Sequence, residues 1–176
     1  LDEAITELKE KELKNSSFKS NHPNHKIKCA IETDLELLIP KNYISDVAER
    51  MRIYKRLSEM KKTIEIESLK TELMDRFGQV PEPTVELLKS ISLRCVGESI
   101  CSSKIILKKG KMIIVFNNQI NSDNIQDRIL KNILNMIQFD TNNRYALKET
   151  NENIKLYINS INSIEESAKI LNKINA

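Results

Sequence analysis

The hydrophobic period of this chain changes near residue 102, and that change limits the fold more than any other feature. From Ser45 to about Ile100, apolar residues recur every three or four positions, the spacing of helices that bury one face. "SKIILKKGKMIIVF", residues 103–116, is instead two β-rich runs around Lys109-Gly110-Lys111, a hairpin signal. Helical spacing returns over 123–138, with Ile125, Ile129, Ile133 and Ile137 as a stripe. "RYALKE" and "NIKLYIN" then read as two short strands about Asn151-Glu152-Asn153, and a last helix from about Ser163 carries Ile164, Ala168, Leu171 and Ile174. Helices first and hairpins later, without a βαβ rhythm, predict an α+β fold in which a helical cluster packs with short antiparallel β-hairpins.

The first half divides further. Residues 1–14 place Leu1, Ala4, Ile5 and Leu8 on one helical face, and "SSFKSNHPNHK" after them is polar and aperiodic, as a linker is. The folded domain is expected to span 26–176, with 15–25 as linker. The alternation of Ile27, Cys29, Ile31, Leu35 and Leu37 predicts a strand that ends before Pro40. Ser45 can cap a helix to about Lys62, with Val47, Met51, Tyr54 and Leu57 inward. Thr63 can cap a second, with Ile66, Leu69, Leu73 and Phe77 inward and Gly78 just past its end at positive φ. Pro83 opens a third, with Val85, Leu88, Ile91 and Cys95 inward.

Composition narrows the function classes. With 40% hydrophobic residues, 5% aromatic and no tryptophan, the core must be aliphatic. Cys29, Cys95 and Cys101 lack CxxC spacing and read as free thiols of a reducing cytoplasm. No apolar run approaches the roughly 18 residues that span a membrane. The only three glycines, at 78, 97 and 110, cannot build a phosphate-cradling loop, so no nucleotide cofactor is expected. His22 and His25 flank Pro23 in the linker, away from any further metal ligands. No catalytic pair can be assembled, and the chain does not read as an enzyme.

Charge is distributed in patches. Residues 41–62 carry seven basic and three acidic side chains, and 63–98 carry four basic and seven acidic. Such alternation suits protein surfaces of both signs better than a nucleic-acid stripe. Arg50, Arg52, Lys55 and Arg56 on one helix, and Lys104, Lys108, Lys109 and Lys111 on the hairpin, could still meet phosphates. No stacking aromatics accompany them, since Tyr54 lies on the inward face. The hairpin lysines would also guard a sheet edge. In "ELMDRFG", Glu72, Asp75 and Arg76 share one face of the last helical turn. A carboxylate there opposes the helix dipole, which a partner's contact would offset; the plainer alternative is an i,i+4 pair of Glu72 with Arg76.

Residues 39–94 resemble the C-terminal domain of bacterial transcription-repair coupling factors. The shared pieces follow in order: an I-P and Y-I pair, D-x-x-x-R, Y-K-R, E-L-x-D-R-F-G, P-x-P, then L-L and L-R. From 103 onward only the order of elements matches. The resemblance implies that 1–14 is the helix leaving a preceding motor domain, and that the chain, which opens on Leu1, is a piece of a longer protein. It implies a parent that is an ATP- and Mg-dependent translocase on duplex DNA, that binds RNA polymerase and that recruits UvrA through a UvrB-like module. It implies for this domain an autoinhibitory role: docking on the UvrB-like module and masking the UvrA-binding surface. Glu72, Asp75 and Arg76 fall on the family's docking turn. A nucleic-acid accessory domain and a purely structural cap on the motor are the rival expectations.

Overall fold

A computed structural model of the chain describes residues 28–117, 123–150 and 153–176. The helix expected over 1–14, the linker with its two histidines, Ile27 and the side chain of Ile125 lie outside the described residues. In chain order the elements are β1 (Ala30–Thr33), α1 (Val47–Glu59), α2 (Thr63–Phe77), α3 (Glu82–Ser99), β2 (Ser102–Lys108), β3 (Lys111–Asn117), α4 (Asp123–Gln138), β4 (Tyr145–Glu149), β5 (Asn153–Asn159) and α5 (Ile164–Asn175). The α+β class is as expected, but the strands form one five-stranded mixed sheet ordered β1-β2-β3-β5-β4. Lys109 and Gly110 turn the β2–β3 hairpin with φ of 51° and 70°, the paired positive values of the tight turn that matches strand twist. That hairpin lies inside the sheet, so its lysines guard no edge; β1 and β4 are the outer strands.

Two aliphatic cores meet at α3. One lies between the sheet and α4 and α5, and includes Ile105, Met112, Ile114, Ile133, Leu156 and Leu171. The other, among α1, α2 and α3, includes Ile53, Leu57, Ile66, Leu69, Leu73 and Leu88. Serving both cores, α3 is buried on more than the single face expected. Leu88 and Cys95 are buried as predicted, Val85 and Ile91 only half-buried, while Leu87, Leu93 and the small residues Thr84, Ser90 and Gly97 line further contacts. Gly97 is required by space: a Cβ there would lie 2.7 Å from Cys29 Sγ and 2.8 Å from Ile105 Cδ1. Burial in this seam pushes the Cys29 thiol up to about 11. Cys29 and Cys95 are buried and Cys101 half-buried, all three as free thiols.

Several local expectations change, each for a physical reason. The first strand is only four residues, because Thr33 Oγ1 accepts the amide of Leu35 and turns the chain out of the ladder. Asp46, one residue after Ser45, caps α1 by accepting from Ala48 N at 2.8 Å. The phase that buries Ile53 and Leu57 turns Val47 and Met51 outward, each 57% exposed. This helix ends at Glu59 because Arg94 donates to the carbonyls of Leu57, Ser58 and Met60. Lys62 rather than Thr63 then precedes α2, with Glu65 accepting from the amides of Lys61 and Lys62. Ile66, Leu69 and Leu73 are buried as expected, and Phe77 is half-buried. Gly78 is the capping residue itself, at φ 82° and ψ −156°, a region essentially restricted to glycine.

Candidate functional site

The C-terminal turn of α2 lies against α1, and this packing decides what Glu72, Asp75 and Arg76 can do. Ile53 and Leu57 of α1 meet Leu69 and Leu73 of α2 in the helical core, so the charged flanks of both helices run side by side. Arg56 donates through Nη1 and Nη2 to the two oxygens of Glu72, each at 2.9 Å, a planar fork on a carboxylate. Arg76 donates to Glu72 at 3.1 Å and to Glu49 at 2.7 Å. Arg52 completes the row by donating to Glu49 at 2.9 Å. The order is thus Arg52, Glu49, Arg76, Glu72, Arg56, alternating in sign across two helices.

The electrostatics follow from this order. The bidentate bond from Arg56 is the main reason that the Glu72 carboxyl lies below the usual glutamate range. Its bond to Glu72 in turn raises Arg56, and the bond to Glu49 is the main cause that raises Arg76. The Arg76 guanidinium also lies 4.7 Å from the centroid of the Phe77 ring. Phe77 is braced edge-on by Tyr43, whose hydroxyl donates to Leu73 O at 3.0 Å and Gly78 O at 3.2 Å. Beside these groups is a cleft of about 260 Å³ lined by Tyr43, Ile44, Ser45, Asp46, Glu49, Arg76 and Phe77.

The three expected site residues therefore differ in state. Glu72 and Arg76 do form the i,i+4 pair, and each also reaches across to α1. Asp75 is exposed and, among the described residues, makes no ion pair. Sequence reasoning missed Glu49 altogether and assigned Arg56 to a possible phosphate face. Only the Glu49–Arg52 pair, three residues apart on one helix, could have been found from spacing. The other two contacts join residues 16 and 27 positions apart, which requires the packing of α1 on α2.

The basic features are largely engaged inside the fold. Arg50 donates to the carbonyls of Ile44 and Ser45, and Arg52 and Arg56 belong to the row above. On the hairpin, Lys104 and Lys108 both pair with Glu32 of β1. Lys55, Lys109 and Lys111 remain exposed. A larger cavity, about 580 Å³, lies at the far end of the sheet near Arg144 and Glu166. Those two groups pair with each other, and Arg144 also donates to Asn159 O and Ser160 O, closing the β4, β5 and α5 corner. Among the described residues no cluster of His, Cys, Asp or Glu could hold a metal, and no helix is long and apolar enough to cross a membrane.

The TRCF domain family model matches residues 33–126, more than half of the chain and all of the helical core with its charged row. The chain belongs to the TRCF domain family. Related sequences agree: the transcription-repair-coupling factor of Escherichia coli is 42% identical over 67 residues, 36% of this chain and 6% of that protein. That of Haemophilus influenzae is 40% identical over 68 residues, 39% of this chain and 6% of that protein. A longer alignment, with the Buchnera aphidicola protein, is 30% identical over 105 residues, 60% of this chain and 13% of that protein. The TRCF domain chain thus spans only a small share of the length of the curated relatives it matches. The solved C-terminal domain of a transcription-repair coupling factor superposes with a TM-score of 0.68 at 20% identity, covering 88% of this chain and 98% of that one. The α+β fold extends beyond the stretch that the family model matches.

Proposed function

We propose that this TRCF domain is a regulatory, autoinhibitory docking module of a cytoplasmic transcription-repair coupling factor. Through Glu72, Asp75 and Arg76 it docks on the UvrB-like module of its own protein and masks the UvrA-binding surface. The observation that carries the reading is the charged turn itself: an exposed Asp75, without an ion pair among the described residues, beside a Glu72–Arg76 pair held by a second helix. Such a surface offers both signs of charge in fixed places, which sets orientation and rate of association and lets the contact release without unfolding. Within one protein, a tether raises the effective concentration, so modest contacts suffice. Chemistry belongs to other parts of the protein in this reading: ATP and Mg in the motor domains, duplex DNA and RNA polymerase on the parent. The engagement of Arg50, Arg52, Arg56, Lys104 and Lys108 within the fold favours a protein partner over nucleic acid.

The test is titration of this chain against the UvrB-like module of the same protein. Saturable binding that weakens on E72A/D75A/R76A and with added salt is expected. Binding that is absent, or indifferent to the triple substitution, contradicts the proposal.

A further inference from the structure

We propose that Glu49 of α1 is a positioning residue for docking: it fixes the Arg76 guanidinium and so sets the geometry that the partner meets. This rests on the docking reading above. Only 13% of the Glu49 side chain is exposed, whereas Arg76 is 44% and Arg52 73% exposed. Glu49 sits in the first turn of α1, where its amide is within reach of the Asp46 cap at 3.5 Å. It is therefore a carboxylate mounted on a fixed backbone and mostly withdrawn from the surface. The partner would touch Arg76, and Glu49 would act through it.

Two carboxylates define the position of that guanidinium. Glu49 receives Nη2 at 2.7 Å and Glu72 receives Nη1 at 3.1 Å, while the Phe77 ring lies 4.7 Å from Cζ. Arginine carries five N–H donors, so donors beyond these two bonds remain for a partner carboxylate or carbonyl. Arg56 does the same for Glu72, holding both its oxygens at 2.9 Å. Long side chains that are already ordered lose less freedom on binding. The saving expected for one such chain is about 2- to 10-fold in affinity. The partner chemistry this surface fits is correspondingly two-signed: a cation opposite the unpaired Asp75, and an acceptor opposite the held Arg76.

Two readouts test the assignment separately. In this chain, ¹⁵N relaxation of the Arg76 Nε–H group should show a restricted side chain that becomes mobile in E49Q while the domain stays folded. In the full-length protein, E49Q should raise UvrA affinity about 2- to 10-fold by loosening the docked state. It should add nothing in an R76A background, because Glu49 acts only through Arg76. An Arg76 side chain equally mobile in wild type and E49Q overturns the positioning role, as does an E49Q effect that persists when Arg76 is absent. If R76A itself leaves UvrA affinity unchanged while E49Q still frees Arg76 in the relaxation measurement, the docking reading fails and the local geometry stands.

Discussion

The helical half and the sheet half of this domain are both built on aliphatic cores, yet they carry charge differently. Around α1 and α2 the ionic groups form a continuous row, Arg52 to Arg56, with an unpaired Asp75 beside it. Around the sheet the principal ion pairs are local staples, Glu32 with two lysines across β1 and β2, and Arg144 with Glu166 at the opposite end. Staples hold neighbouring elements together and leave little to offer a partner. A row that alternates in sign along two helices presents a pattern, and pattern is what an orienting contact needs. The sheet half would then be a rigid base for a recognition surface on the helical half, with α3 joining the two.

If α3 makes the halves one unit, core damage in either should be large and felt by both. Leu73→Ala empties a fully buried site in the helical core and should cost about 2–5 kcal/mol, with the sheet and helices still unfolding in one transition. Chemical denaturation followed by far-ultraviolet dichroism and by tyrosine fluorescence checks this; two separated transitions would divide the domain. Gly97→Ala strikes the seam, where its Cβ meets Cys29 Sγ and Ile105 Cδ1, and should cost about 1–3 kcal/mol. Adding Cys29→Ala should recover part of that loss, which a melting-temperature comparison of single and double variants reads directly. Gly78→Ala has open space but a backbone conformation that only glycine adopts easily, and should cost about 1 kcal/mol or more with no such rescue.

Smaller effects belong to the charged row. The Glu72 carboxyl has a lower folded than unfolded pKa, so its pairing stabilises fully above the ordinary value of 4.5 and is lost as pH falls through the folded value. Both partners are substantially solvent-exposed, so Glu72→Gln should cost no more than about 1 kcal/mol at pH 7. The gap between wild type and Glu72→Gln in urea midpoint should close below the ordinary glutamate range; a gap that stays constant to pH 3 contradicts the pairing. Asp75→Ala should leave the melting temperature unchanged or slightly raised, since among the described residues no ion pair is lost and a carboxylate leaves the negative end of the helix dipole.

Several local signals are readable where one residue fixes one bond or turn, although the caps of α1 and α2 each lie one residue from the position expected. Gly78, the Lys109–Gly110 hairpin, Pro83 near the start of α3 and Ser163 before α5 all act within a few residues of themselves. Most of the rest is set by distant packing. The phase of α1 depends on where α2 and α3 lie, so periodicity alone puts Val47 and Met51 on the wrong face. The end of α1 depends on Arg94, more than 30 residues away. The parallel docking of β1 on β2 needs a crossover that includes three helices, which no hairpin signal encodes. The same holds for the site: its turn was visible in "ELMDRFG", but Glu49 and the role of Arg56 appear only when two helices are placed together.

The most direct trial of the account is alanine at Glu72, Asp75 and Arg76 together in the full-length protein, with UvrA binding and DNA-stimulated ATPase measured side by side. Deleting the differential contact of a closed state shifts the population toward the open one. Both quantities should therefore rise while this chain carrying the same substitutions keeps its fold. If the protein folds normally and both stay at the wild-type level, these residues are surface charges only and docking through this turn is wrong.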